Sequence, residues 1–370
     1  MSKLVQSSVV LLILTMSATA QIQKSPFNRV FVDEDYEYTE RVRRSRGVSE
    51  HMLKGLKFHK DGDYRAAAQA FAIVVRLDPL LFDAQYNLGI SQLFLSDYKS
   101  AANAFQNAVK LDDSSAQAWH HLGFALYNGR DSAQAVKSYL RALDIDEHRG
   151  ITWSNLGQAY VELEKFDDAE RAFTKALSND PKLKEPVNGL CVTYARLKKS
   201  SQAVSYCTKA RNLEPSTALK YYLAWSYLDL KKFPEAINLL KECVRVDPKN
   251  TPVYAALAEG HYFMKRYKEA ISYAQQAIKV SPNSEAAYAG LGRIYFNMKK
   301  PKEAKKVFEK AVTIDPESGS ARYNLAMSCL ALNQRDCARE QYAILKHVEP
   351  NLSTKLFEQM YTSKVLNLVQ

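Results

Sequence analysis

The feature that most constrains this chain is an internal repeat with a period of 34 residues. Three glycines, Gly89, Gly123 and Gly157, are each 34 positions apart. Two sets of alanines keep the same interval: Ala101, Ala135 and Ala169, and Ala108, Ala142 and Ala176. A period of this length is typical of chains that stack small structural units side by side, because one such unit cannot bury its apolar surface alone.

The residue composition indicates that these units are helical. Among 370 residues there are only 13 Gly and 12 Pro, which leaves few breakers for the many turns of a strand-rich fold. The recurring small residues allow two antiparallel helices to approach closely, and Leu88 and Phe105 are expected to fill the space between them. The sequence therefore predicts an all-α fold.

The pattern resembles the tetratricopeptide repeat, a helix-turn-helix unit of the form W-x2-L-G-x2-Y, A-x3-F-x2-A and a closing proline. The run Leu291-Gly292, Ala304, Phe308, Ala311 and Pro316 follows this form closely. With Pro316 and its equivalents at position 32, nine units span residues 48–81, 82–115, 116–149, 150–183, 184–216, 217–250, 251–284, 285–318 and 319–352. The resemblance implies a right-handed α-solenoid over residues 48–352.

The two ends of the chain do not follow the repeat. Residues 353–370 carry Leu356, Met360 and Leu366 at helical spacing, which predicts a capping helix over the last unit. Residues 1–20 have one charge, a short apolar centre and small residues before Gln21, as in a secretory signal cleaved after Ala20. Residues 21–47 combine an acidic and a basic run, and we interpret them as a flexible charged arm.

The five cysteines predict neither a metal site nor a disulfide framework. Their number is odd, and they include no pair with zinc-ligand spacing. Cys191 and Cys207 fall on facing helices of one unit, about one turn out of register, and so near or beyond the span of a disulfide.

No segment of the sequence predicts catalysis or a cofactor. Phosphate-binding loops, nucleophile elbows, HExxH and dinucleotide-binding glycine motifs are absent from the sequence. His120 and His121 are adjacent on a predicted helix and point about 100° apart, so they cannot form a facing ligand pair. The sequence favours a non-enzymatic protein.

The resemblance also implies a binding groove, because positions 2, 5, 9, 12 and 13 of each first helix line a concave surface in that family. On this sequence they select Tyr86, Ile90, Phe94, His120, Phe124, Tyr127, Tyr221, Trp225, Tyr262, Phe263, Phe296 and Tyr323. Aromatic anchors of this kind are typical of peptide interfaces. The alternative is that these rings pack between neighbouring first helices.

Charge suggests a second surface. Residues 184–352 carry 27 basic and 16 acidic side chains, a net charge of +11, whereas residues 48–183 carry 15 and 18, a net charge of −3. Eight cations occupy predicted turns between paired helices, and we call them the basic ridge: Lys198, Lys199, Lys231, Lys232, Lys265, Arg266, Lys299 and Lys300. A solubilising edge and an anion-binding surface both fit this pattern.

These observations predict an exported scaffold, periplasmic or secreted, that holds a protein or peptide segment in the groove. One alternative is a polyanion or membrane-surface binder that uses the basic ridge. Another is an accessory domain of a glycosyltransferase assembly, although the chain carries no catalytic region. Nucleic acid is disfavoured as a partner by the export signal, and no stretch after the signal is long and apolar enough to span a membrane.

Overall fold

The computed structural model describes residues 34–213 and 215–366, and the side chains of residues 44–213 and 215–361. This part of the chain contains nineteen helices and no strand. The helices are α1 (Glu34–Lys60), α2 (Tyr64–Leu77), α3 (Phe82–Phe94), α4 (Tyr98–Leu111), α5 (Ala116–Asn128), α6 (Ser132–Ile145), α7 (Gly150–Glu162), α8 (Phe166–Asn179), α9 (Glu185–Arg196), α10 (Ser200–Leu213), α11 (Thr217–Asp229), α12 (Phe233–Val246), α13 (Thr251–Phe263), α14 (Tyr267–Val280), α15 (Glu285–Asn297), α16 (Pro301–Ile314), α17 (Gly319–Ala331), α18 (Arg335–Val348) and α19 (Pro350–Leu366). The predicted all-α repeat architecture is confirmed.

Each unit pairs an odd-numbered first helix with an even-numbered second helix. Every helix packs against the next one along the chain, and first helices of neighbouring units from α3 to α17 also contact each other. The second helices make no comparable contacts with one another in the described part of the chain. The first helices therefore lie on the inner side of the curved row.

A small residue on the first helix and a ring on the second hold each typical unit together. A methyl group at Gly157 would lie 2.6 Å from the Phe173 ring, and one at Gly123 would lie 2.7 Å from the Tyr139 ring. Both rings are fully buried. Only a residue without a side chain lets the two helices close over such a ring at this distance.

The turn between paired helices requires a left-handed backbone at one residue in every unit. Gly62 has this conformation in the first unit, with φ of 83°. In the other eight units the residue is Ser96, Arg130, Glu164, Lys198, Lys231, Lys265, Lys299 or Asn333, with φ between 56° and 72°. Four members of the basic ridge therefore occupy the left-handed position of their turns.

The helical region begins earlier than the sequence suggested. Helix α1 starts at Glu34, so residues 34–47 of the predicted flexible arm are helical, and that prediction is wrong for this stretch. Acidic residues precede basic ones there by one helical turn, a spacing that favours a helix, and no proline intervenes. Residues 21–33 and the signal segment 1–20 lie outside the described residues.

The predicted capping helix is present as α19, which begins at Pro350 and contacts α17 and α18. Leu356 and Met360 are buried against the last unit, as their spacing predicted. Leu366 belongs to this helix, but its side chain lies outside the described residues. None of the described helices has both the length and the apolar character needed to cross a membrane.

The prediction that the cysteines form no disulfides is wrong. Cys191 is bonded to Cys207, with their Cα atoms 4.6 Å apart, and Cys329 is bonded to Cys337, with their Cα atoms 6.0 Å apart. The predicted register is wrong for the first pair, because the two residues lie directly opposite each other. The fifth cysteine, Cys243, is free and buried.

Candidate functional site

A cavity of about 520 Å³ opens on the inner side of the solenoid, between α11, α13 and α15. We call it the aromatic cavity. Of the twelve groove residues predicted from the sequence, four line it: Tyr221, Trp225, Tyr262 and Phe263. The predicted groove is therefore concentrated in units six to eight.

The cavity exists because two tyrosines of the sixth unit are replaced by small residues in the next two. Tyr221 and Tyr222 correspond to Ala255 and Ala256 in the seventh unit, each 34 positions later. In the eighth unit the same positions hold Ala289 and Gly290, and a methyl group placed on Gly290 would contact nothing within 4 Å. The missing rings leave a recess beside the aromatic wall.

The wall consists of rings from two helices. Tyr221 and Trp225 of α11 have ring centroids 6.2 Å apart, and Tyr262 and Phe263 of α13 have centroids 5.3 Å apart. Phe263 stacks on Phe233 at 5.4 Å, yet 52% of its surface stays exposed. Large rings held by neighbours and left open to solvent are suited to contact a partner.

One acidic and one basic residue line the cavity beside these rings. Trp225, Glu259 and Arg293 occupy the same position in units six, seven and eight. Burial raises the pKa of Glu259, the nearby Arg293 partly offsets this, and Asp229 raises it further. The carboxylate of Glu259 accepts no hydrogen bond and forms no ion pair among the described residues.

A second arginine near the wall is already engaged. The Arg196 guanidinium lies 5.9 Å from the ring centroid of Phe166 and 5.9 Å from that of Trp225. Cation–π contacts of this length hold the charge against its own aromatic neighbours.

Three predicted groove residues in the first half are buried and cannot line an open surface. Tyr86, Ile90 and His120 expose 4%, 2% and 8% of their surface, so the groove assignment is wrong for them. The hydroxyl of Tyr86 forms a hydrogen bond with Nδ1 of His121 at 3.0 Å, and Nδ1 of His120 lies 2.9 Å from the Thr152 hydroxyl. In units two to four, large polar and apolar side chains fill the space between first helices, in agreement with the alternative interpretation.

The other five predicted residues are half-buried and lie away from the aromatic cavity. Phe94 stacks on Tyr64 with centroids 4.1 Å apart, and Phe124 packs into the core of units two and three. Tyr127 borders a separate, polar depression near Arg130. Phe296 and Tyr323 pack against the core of the last two units.

The paired histidines are structural, and no pattern in the sequence signalled their burial. Burial lowers the pKa of His121 to about 4 and lowers the pKa of His120 well below its usual value. Both rings are therefore neutral at pH 7, where they serve as hydrogen-bonding groups in the core. No group of three or more potential metal ligands occurs in the described part of the chain.

The basic ridge lies at the turns between paired helices of units five to eight, where the sequence placed it. Two of its members have partners: Lys199 forms an ion pair with Glu170 at 2.5 Å, and Lys232 lies 5.9 Å from the Tyr227 ring centroid. Lys198, Lys231, Lys265 and Lys299 are exposed turn residues. This edge is separate from the lining of the aromatic cavity.

Comparison with known proteins gives the same architecture. Family models described as tetratricopeptide repeat match residues 53–93 and 154–213, residues 83–115 and 218–250, and residues 114–182. A model described as anaphase-promoting complex, cyclosome, subunit 3 matches residues 263–342. Together these matches cover more than half of the chain. No curated protein sequence gives a significant match.

Solved structures with a similar fold have low sequence identity. A chain of the APC/C hetero-tetramer Cut9-Hcn1 is 14% identical, with a TM-score of 0.52 over 85% of this chain and 76% of that one. The MamA protein is 24% identical, with a TM-score of 0.44 over 47% of this chain and 95% of its own. A thermophilic tetratricopeptide repeat protein of Thermus thermophilus is 20% identical, with a TM-score of 0.43 over 49% and 99% of the two chains. The first of these similarities shows a shared helical repeat fold.

Proposed function

Because this chain belongs to the tetratricopeptide repeat family, we propose that it is a non-catalytic scaffold that holds a segment of a partner protein in the aromatic cavity. Repeats of this kind bind proteins in general and are usually not enzymes. The aromatic cavity supports the choice of this place, because its rings are incompletely covered.

The single observation that carries the proposal is the recess beside an incompletely covered aromatic wall. Its volume of about 520 Å³ is within the usual range for binding sites. In units two to four the equivalent space is filled by side chains such as Tyr86 and His120, so an open recess is not required by the fold. Rings of Tyr and Trp contribute strongly to binding when a partner covers them, because they bury much apolar surface and retain a polar atom.

The experiment compares two pairs of substitutions. Tyr221→Ala with Trp225→Ala removes half of the wall, and Phe357→Ala with Tyr361→Ala removes an exposed ring pair on the capping helix, whose centroids lie 4.5 Å apart. Proteins captured from the native envelope or medium by the unmodified chain should be lost with the first pair and kept with the second. Equal capture by all three forms would contradict the proposal.

We also propose that the chain is exported. The signal-like residues 1–20 support this, and so do the two disulfides, because such bonds persist in oxidising compartments and are rare in the cytosol. The scaffold would then act in the periplasm or outside the cell.

A further inference from the structure

The charges around the aromatic cavity indicate what kind of side chain it accepts. Glu259 is the acidic residue that lines the cavity, and it has neither a hydrogen-bond donor nor an ion-pair partner among the described residues. Asp229, at the end of α11, is close enough to act on it electrostatically. A carboxylate that lines an open cavity beside aromatic rings offers a contact for a cation supplied from outside.

The rings beside Glu259 favour the same charge. Tyr221, Trp225 and Tyr262 line one side of the cavity, and aromatic faces attract ammonium and guanidinium groups. Arg196 is held against Phe166 and Trp225, and Arg293 is the one described cation that lowers the pKa of Glu259. The recess formed by Gly290 and its neighbouring alanines provides room for a long side chain.

We propose that the partner segment inserts a lysine or arginine side chain into the aromatic cavity, where its charged group contacts Glu259 and the rings of Tyr221 and Trp225. This inference rests on the proposed function, since it names the chemistry of the segment that the scaffold holds.

The positive charges around the aromatic cavity restrict the charge of the remaining residues of the partner segment. Arg293 lines the cavity one unit beyond Glu259, and residues 184–352 have a net charge of +11. A generally basic segment would be repelled by this field, because like charges across an interface oppose association. The expected partner is therefore a neutral or acidic segment with one basic anchor, and an acidic residue beside the anchor would face Arg293.

A display experiment tests this without a known partner. Phage-displayed random dodecapeptides are selected on the intact chain, and clones that still bind the Tyr221→Ala, Trp225→Ala form are discarded. We expect the remaining peptides to share one lysine or arginine. Selection on Glu259→Lys should yield peptides that lack this residue and carry Asp or Glu instead.

Synthetic peptides from that selection give the quantitative test. Glu259→Gln keeps the shape of the side chain and should weaken binding about tenfold, as expected for loss of one partly shielded charge contact. Glu303→Gln, on the exposed face of α16, should leave the dissociation constant unchanged. Replacing the anchor by norleucine should lose as much affinity as Glu259→Gln does.

The possible failures are distinguishable. If no selected peptide depends on Tyr221 and Trp225, the proposed function fails together with the inference. If cavity-dependent peptides are found but share no basic residue, or bind equally well to Glu259→Gln, the scaffold stands and the cationic anchor is wrong.

Discussion

Cys191 and Cys207 occupy the two positions at which a glycine and an aromatic ring face each other in the three preceding units. Gly157 and Phe173 are also sixteen residues apart, and they make the same contact between first and second helix. In the fifth unit a covalent bond, with a Cα–Cα distance of 4.6 Å, therefore replaces the packing of a ring against a glycine.

Because a disulfide takes the place of the ring–glycine contact, the stability of the fifth unit should depend on oxidation of Cys191 and Cys207. Replacing both cysteines by alanine removes the cross-link without restoring a ring, and should lower the free energy of unfolding by about 3 kcal/mol, the usual value for a loop of this length. Urea unfolding followed by circular dichroism measures the loss. Cys191→Gly with Cys207→Phe should recover part of it by restoring the pair used elsewhere. Equal stability of the reduced and oxidised chain would refute the prediction.

Gly157 and Gly290 differ in how much space surrounds the position that a side chain would occupy. At Gly157 an added methyl group would lie 2.6 Å from the Phe173 ring, whereas at Gly290 it would meet nothing within 4 Å. Gly157→Ala should therefore destabilise the chain by about 1–2 kcal/mol, as overpacking a core does. Gly290→Ala should stabilise it by up to about 1 kcal/mol, because alanine favours helices. Thermal unfolding of both variants provides the comparison, and the same sign for both would contradict it.

The repeat made the fold predictable, but only part of the site. A strict period determines where helices begin and which positions face inward, so the nine units and the buried Leu356 and Met360 follow from the pattern alone. Position in a unit does not say whether an inward side chain meets a neighbour or solvent. Tyr86 and Tyr221 share a position, yet the first is buried and the second lines the cavity, since Tyr221 is followed by Ala255 in the next unit.

The disulfide and the buried histidines were both missed in the prediction from sequence, but for different reasons. The sixteen-residue separation of Cys191 and Cys207 matched that of Gly157 and Phe173, so the sequence did contain a signal for this pair. His121 carried no such signal, because its burial depends on the ring of Tyr86 one unit earlier. A contact between side chains of two different units depends on how the units stack, so the repeat pattern within one unit does not predict it.

Buried His121 predicts acid sensitivity of units two to four. The pKa of this imidazole falls from 6.5 to about 4 on folding because burial disfavours its charged form. The unfolded chain thus binds a proton below pH 6.5 that the folded chain does not bind until about pH 4. Stability should fall by about 2 kcal/mol between pH 7 and pH 5 from this group alone. His121→Gln should flatten the decline measured by urea unfolding, and the same change at exposed His148 should not.

Export predicts a defined amino terminus. If the signal is removed after Ala20, mass analysis of the protein from its native host should find Gln21 as the first residue. A chain that retains Met1 or Ser2 in that host would exclude cleavage at this position.

The salt dependence of partner affinity distinguishes binding in the aromatic cavity from binding on the basic ridge. Exposed charges are screened over about 8 Å at physiological ionic strength, whereas contacts with buried rings are nearly insensitive to salt. Tyr221→Ala with Trp225→Ala should weaken partner binding by at least about 2 kcal/mol at both low and high salt.

The matched test reverses three charges of the ridge, with Lys231→Glu, Lys232→Glu and Lys265→Glu. The backbone tolerates this change at the left-handed turn residues, because Glu164 already occupies the equivalent position with φ of 56°. Titration of the isolated partner against this variant should show a much smaller loss of affinity than the loss caused by Tyr221→Ala with Trp225→Ala, because the ridge acts on the partner only through the screened long-range field. Binding that ignores the aromatic pair but collapses with charge reversal and added salt would instead assign the partner to the ridge, as a polyanion.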